Sequence, residues 1–165
     1  VAEVTDLYRA QVAGRGMRLG VTLDPNLSEM VADQGRLRQL LHNLLTNAVE
    51  ALEGRDGGEI LVTTRLATWE GAEVAEIAVE DNGPGFQRDQ IGQVFDPYVT
   101  TKARGTGLGL AIVRKIVEEH GGYVEADNRN GGGARVRVDL PINETARGQV
   151  VRREVRRPEP RRERA

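Results

Sequence analysis

Two glycine-rich turns about twenty residues apart constrain this chain more than any other feature. They are Asp81-Asn82-Gly83-Pro84-Gly85 and Gly105-Thr106-Gly107-Leu108-Gly109-Leu110. A glycine has no Cβ, so its backbone can take a left-handed φ or let a ligand approach closely. The first turn carries a carboxylate. The second runs straight into an apolar helix, whose N-terminal N–H groups and dipole favour anions. The pair suggests a nucleotide held at both ends, its base on an aspartate and its phosphates on a helix N-terminus. Read singly, each turn has an ordinary alternative: an Asx turn at Asp81, or a flexible loop leading into a helix at Gly105. No Gly-Lys-Ser/Thr is present, which excludes a P-loop, and no dinucleotide-binding strand–turn–helix opens the chain.

The strongest helix precedes both turns. Asp33 is a good N-cap. Leu37, Leu40, Leu41, Leu44, Leu45, Ala48, Val49 and Leu52 then recur with a 3.6-residue period, and Gly54 and Gly57-Gly58 end the run. Asn43, Asn47 and Glu50 form a second stripe at i, i+4 and i+7, away from the leucines. Asparagine is a mediocre helix former, so two of them there want a reason. An amide oxygen is a hard, neutral ligand that suits Mg²⁺; a solvated polar face is the plain alternative.

The remaining elements are shorter. Residues 1–13 are weakly helical through Val4, Leu7, Tyr8 and Val12, and residues 19–23 alternate as a strand closed by Asp24-Pro25-Asn26. Residues 29–31 offer a short strand. Residues 60–66 and 74–79 read as an antiparallel pair, with Asp81 just past the second strand, at an end where side chains emerge near ligands. Residues 83–106 are irregular apart from a helical stretch near Gln90-Ile91. Within them, Lys102 and Arg104 can reach phosphates, Thr100 or Thr101 can add hydroxyls, and Phe95 and Tyr98 give apolar anchors. A surface loop with one buried aromatic is the alternative. Residues 108–120 form a second apolar helix stopped by Gly121-Gly122. Residues 123–126 and 134–140 are strands flanking a glycine turn.

At 165 residues the chain is one domain with room for a core. It has no cysteine and two histidines, which leaves no disulfide framework, no thiolate metal site and no histidine-rich metal site. No apolar run reaches membrane-spanning length and no signal peptide opens the chain, so a cytoplasmic location is expected, either free or as part of an inner-membrane sensor. From Arg147 onward eight arginines face three glutamates, a charge of +5, leaving −7 on the rest of a chain whose net charge is −2. An acidic body is a poor nucleic-acid surface. The tail has no apolar periodicity and is expected to be disordered, so that its deletion leaves nucleotide affinity unchanged.

Taken in order, these pieces resemble the ATP-binding domain of sensor histidine kinases, in the superfamily shared with gyrase, the Hsp90 chaperones and MutL. Asn43-Leu-Leu-Thr-Asn47-Ala-Val-Glu-Ala51 resembles its N box, Asp81–Gly85 its G1 box, Phe95-Asp-Pro-Tyr98 its F box and residues 105–110 its G2 box. The run from Pro97 to Ile116 is similar to nitrogen-regulation kinases of the NtrY/NtrB type. The resemblance implies a two-layer α/β sandwich of the Bergerat type, a mixed and mostly antiparallel sheet packed on helices, with a lid over residues 86–106. It implies a linker or the end of a preceding helical region over 1–18, the ATP-binding catalytic domain over 19–143 and a disordered arginine-rich tail over 144–165. It further implies that ATP and Mg²⁺ bind here. Asn47 would ligate Mg²⁺, Asn43 would face the phosphates, and Asp81 would read the adenine amino group above Gly83 and Gly85. Phe95, Thr101, Lys102, Gly105, Thr106, Gly107, Leu108 and Gly109 complete the implied ATP site, with Asn43, Asn47 and Lys102 as its catalytic members.

The ATPase relatives carry a glutamate general base where this chain has Asn43. An amide cannot accept that proton, which favours transfer to a protein acceptor over hydrolysis. The family's acceptor histidine lies on a helical hairpin within a His-Glu-x-x-x-Pro-like motif, and neither histidine here fits. His42 flanks the leucine face and is expected to be half-buried packing; His120 closes a helix, where a cation suits the dipole. The implied partners are therefore a separate dimerisation and phosphotransfer domain of the same kinase and a response regulator. No nucleic acid or direct membrane contact is implied, and the isolated chain is expected to be a monomer. A serine kinase of the same fold and a non-catalytic nucleotide sensor remain as alternatives.

Overall fold

The computed structural model describes residues 1–27, 30–69, 72–100 and 105–142. The elements in chain order are α1 (Ala2–Ala13), β1 (Arg18–Thr22), α2 (Gln34–Ala51), β2 (Glu59–Trp69), β3 (Ala72–Asp81), a single 3₁₀ turn (Ile91–Gln93), α3 (Gly109–Glu119), β4 (Tyr123–Asn128) and β5 (Ala134–Pro141). The five strands form one sheet in the order β1-β2-β3-β5-β4. β1 and β2 run parallel because α2 is the crossover between them; the other three pairings are antiparallel. The fold is the mixed, mostly antiparallel sheet on a helix layer that the sequence implies.

Strand alternation explains the two layers. In β3 and β5, Ile77, Val79, Val136, Val138 and Leu140 join the core beneath the helices. Glu76, Glu80, Arg135 and Arg137 take the other face, where no helix among the described residues packs. Glu76 is nearly covered there, with Arg65 Nη2 at 2.7 Å and Arg135 Nη2 at 3.5 Å. A carboxylate that dry needs such partners.

α2 behaves as its periodicity requires. The Asp33 carboxylate accepts the Arg36 N–H at 3.0 Å, satisfying one of the orphan donors of the first turn. Leu40, Leu41, Leu44, Leu45, Ala48, Val49 and Leu52 are all buried, each leucine stabilising by about 1.5–3 kcal/mol on transfer from water. From residues 1–18, Val4, Tyr8, Val12 and Met17 join the same core. Leu7, read as part of that apolar set, is 75% exposed instead, because its helical angle turns it off the Val4–Tyr8–Val12 stripe. The Tyr8 hydroxyl lies 2.6 Å from His42 Nδ1 and 2.8 Å from Thr46 Oγ1. Burial raises the phenol pKa above its ordinary value, partly offset by the Thr46 hydrogen bond, so it stays protonated and able to donate.

Several local expectations change. The short strand over 29–31 is not formed at Met30 or Val31, and Glu29 lies outside the described residues. Asp81 is the last residue of β3 rather than beyond it. His42 is exposed rather than half-buried, although Tyr8 engages its ring edge-on. His120 is buried rather than a cation at a helix end. Its Nδ1 donates to the Ile116 carbonyl at 2.8 Å and its Nε2 accepts the Asp33 N–H at 3.2 Å. That pairing requires the neutral ring with the proton on Nδ1. His120 thereby ties the C-terminus of α3 to the N-cap of α2.

Candidate functional site

The cleft lies between α2, the end of β3 and the N-terminus of α3. Its first half is a cavity of about 240 Å³ lined by Asp81, Gly85, Phe86, Ala51 and Ala134 among others. Its second half, about 390 Å³, is lined by Asn43, Thr46 and residues 105–109. Asn47, Glu50, Val94, Val99, Thr100 and Leu110 line both halves, which makes them one continuous cleft of the size that holds a small ligand.

Asp81 shapes the first half. It has the same parity along β3 as Ile77 and Val79, so the strand's own alternation turns a carboxylate toward the helix layer. It is only 5% exposed. Its Oδ1 accepts the Gly83 N–H at 2.8 Å and the Ala134 N–H at 3.4 Å. Asn82 points the other way and ties the turn down: its Oδ1 accepts the Glu59 N–H at 2.8 Å and its Nδ2 donates to the Gly57 carbonyl at 3.0 Å. The Asp-Asn-Gly turn is therefore braced from both sides, with its carboxylate aimed into the cleft.

The second half is built by α2 and the approach to α3. Asn43 and Asn47 project from successive turns of α2. The Asn43 Nδ2 is buried and has no hydrogen-bond partner among the described residues. Opposite, Gly105, Thr106, Gly107, Leu108 and Gly109 all face the cavity, with the Leu108 N–H on Thr106 Oγ1 at 3.4 Å. Gly107 has φ +67, and its carbonyl accepts the Tyr98 N–H at 2.9 Å. No other residue type fits there: a Cβ would sit 2.6–2.9 Å from the Tyr98 and Val99 backbone.

A model for the family described as Histidine kinase-, DNA gyrase B-, and HSP90-like ATPase matches residues 32–144. The chain belongs to this family. The family is one of ATPases, which supports use of ATP by this chain. The sensor histidine kinase ZraS of Escherichia coli O157:H7 is 45% identical over 131 residues, 79% of this chain and 27% of ZraS. The sensory histidine kinase/phosphatase NtrB of Rhizobium leguminosarum bv. phaseoli is 39% identical over 142 residues, 80% of this chain and 37% of NtrB. This chain thus spans between a quarter and two fifths of the length of these relatives. The likeness to NtrB stands beside one of higher identity to ZraS. Among solved structures, the catalytic domain of histidine kinase ThkA superposes with a TM-score of 0.76 at 30% identity, covering 88% of this chain and 91% of that domain. The chain is accordingly a histidine kinase catalytic domain.

Against this kinase cleft the expected site residues divide. Asn43, Asn47, Asp81, Gly85 and residues 105–109 all line it. Gly83 lies behind the wall, holding Asp81 by its N–H. Phe95 lines neither half; it packs on the core, and its neighbour Val94 lines both. Thr101 and Lys102 lie outside the described residues. Sequence reasoning missed Ala51, Val94, Val99, Leu110 and Ala134. Ala51 and Leu110 end motif segments already quoted, while Val94, Val99 and Ala134 are small or aliphatic residues outside the four boxes, gathered by packing.

Proposed function

We propose that this kinase domain binds Mg-ATP with adenine against Asp81 and phosphates toward Asn43 and residues 105–109, and passes the γ-phosphate to a histidine on another domain of its parent protein. The carrying observation is the polarity of one cleft: a buried carboxylate acceptor at one end, amides and a glycine-rich helix entry at the other. The residues present fit the magnesium nucleotide. The orphaned Asn43 Nδ2 is a donor in want of an acceptor such as a phosphate oxygen, and such a buried donor left unmet costs about 1–3 kcal/mol. Asn47 offers the oxygen of a hard-ligand site. The ion itself supplies charge neutralisation across the phosphates.

The chain's own residues then divide the work. The Asp81 carboxylate, which lines the cleft, accepts the exocyclic amine. Val94, Val99 and Leu110 cover the ring with apolar surface. The N–H groups at the start of α3 receive phosphate oxygens. An amide at position 43 orients phosphate but takes no proton from water, which favours transfer over hydrolysis. The parent protein's dimerisation and phosphotransfer domain would supply the acceptor histidine. A response regulator would take the phosphate from it. The domain would work in the cytoplasm; no helix among the described residues is long and apolar enough to cross a membrane.

Calorimetric titration of the chain with Mg-ATP and Mg-GTP, on wild type, Asp81→Asn and Asn47→Asp, tests the reading. Asp81→Asn keeps the Oδ1 acceptor for Gly83 but turns a donor toward the adenine amine. Losing one hydrogen bond to a charged group, about 1.5–3 kcal/mol, weakens ATP about 10- to 150-fold. Equal affinity for ATP and GTP, or full affinity in Asp81→Asn, refutes the adenine placement. Incubation with labelled ATP and the cognate helical hairpin tests transfer: acid-labile label supports phosphohistidine, acid-stable label a serine kinase, and tight binding with no label a nucleotide sensor.

A further inference from the structure

The turn between β4 and β5 lies outside the cleft, yet its polar contacts converge on the loop that carries Asp81. Asn128 Oδ1 accepts the Phe86 N–H at 2.6 Å, and Asn128 Nδ2 donates back to the Phe86 carbonyl at 2.9 Å. The side-chain amide thus does what a neighbouring strand's peptide group would do, satisfying both backbone groups of one residue in a segment with no strand partner. One residue on, Arg129 Nη1 donates to the Asp81 carbonyl at 3.0 Å, while its Nε is held by Glu80 at 3.0 Å. At the end of the turn the Ala134 N–H meets the Asp81 carboxylate itself.

Two glycines let the surfaces meet. Gly85 has φ +77, and a Cβ there would lie 2.6 Å from Asn128 Oδ1. Gly133 has φ +99, and a Cβ there would overlap the Asp81 carbonyl oxygen. The glycine turn and the Asp81 turn are therefore in backbone contact, and both ends of the segment from Asp81 to Phe86 are fastened to one external hairpin. Phe86, the residue that Asn128 holds, lines the base end of the cleft.

We infer that Asn128 and Arg129 are positioning residues for base recognition: the β4–β5 turn is a clamp that sets the Asp81 carboxylate and the Phe86 wall at the distance adenine requires. Neither side chain lines the cleft, so neither touches nucleotide. The clamp acts on the adenine end alone, because none of its contacts reaches Asn43, Asn47 or residues 105–109. The inference rests on the reading that adenine sits against Asp81.

The test is the ATP and GTP affinity of wild type, Asn128→Ala and Arg129→Ala, with thermal unfolding of each. Asn128→Ala removes both Phe86 bonds and should weaken ATP about tenfold, Arg129→Ala about threefold. GTP lacks the amine that Asp81 reads, so its affinity should hold and the preference for ATP should collapse. Should Asn128→Ala fail to fold, Arg129→Ala, which loses the contacts to the Asp81 carbonyl and Glu80, carries the same comparison. ATP affinity within about twofold of wild type in both variants overturns the clamp. So does a parallel loss for both nucleotides, the mark of general damage. Failure of wild type to bind ATP would instead strike the functional reading itself.

Discussion

Gly107→Ala separates a phosphate cradle from a loop that merely packs well. The added Cβ would sit 2.6 Å from the Tyr98 carbonyl carbon, 2.7 Å from its Cα and 2.9 Å from the Val99 nitrogen, where ordinary contact begins near 3.4 Å. All three are backbone atoms, so no rotamer relieves the overlap. Tyr98 is itself at φ +66, and its N–H reaches Gly107 across the gap. Holding alanine at a left-handed φ costs about 1–2 kcal/mol, and losing the Tyr98–Gly107 hydrogen bond about 1 kcal/mol more. Tyr98 is 78% exposed, so the free chain can let the two segments part without opening the core. The cost, about 2–3 kcal/mol in all, then falls on regaining the phosphate-binding shape, which is about 30- to 150-fold in affinity. Titration with Mg-ATP measures it, beside the melting curve. The control is Gly92→Ala, where nothing lies within 4 Å of the added Cβ and which lines neither half of the cleft; it should leave ATP affinity at wild type. A Gly107→Ala chain that binds ATP within about threefold of wild type refutes the cradle. A large drop in melting temperature with affinity intact assigns Gly107 to packing.

Other consequences follow from single contacts. Gly133→Ala meets the Asp81 backbone while Gly131→Ala, also at positive φ, meets nothing within 4 Å; urea unfolding should show a loss of about 1–2 kcal/mol for Gly131→Ala and at least about 3 for Gly133→Ala, and equal losses would show the turn and the loop to be independent. Tyr8→Phe gives up the bonds to His42 and Thr46 and should cost about 1–2 kcal/mol by the same measurement; an unchanged midpoint would mean that packing alone seats α1. The Leu66 and Asn26 N–H groups hold the Asp24 carboxyl below its ordinary value. Its stabilising effect is therefore present above the unfolded value of about 3.9 and is lost as pH falls through the folded value. Melting curves across pH should show a shallower acid limb for Asp24→Asn, the two chains converging at low pH; parallel curves would remove Asp24 from the acid response.

The chemistry of the cleft was legible because it resides in residue types that are costly to place without cause: a carboxylate beside glycines, asparagines on a leucine helix, a glycine run opening another helix. The extent of α2 was legible too, because eight apolar residues on one stripe and a capping aspartate admit one reading. The α1 stripe was half legible. Val4, Tyr8 and Val12 bury and Leu7 does not, since hydrophobicity marks a helix but its partner decides which side is inside. Phe95 packs on the core as the apolar anchor the sequence offered, while the plain aliphatic before it, rather than Phe95, lines the cleft.

Local sequence by itself therefore determined the helices and the turns, because periodicity, capping and glycine conformation act over a few residues. The tertiary structure alone decided the order β1-β2-β3-β5-β4, which sets β5 beside β3 and so brings the β4–β5 turn against the Asp81 loop. It alone made His120 a neutral strut between two helices and Asn128 a clamp on Phe86. His120 lies 87 residues from Asp33 and Asn128 lies 42 from Phe86, and a hydrogen bond at that separation exists only once the sheet and the helix layer have closed around it.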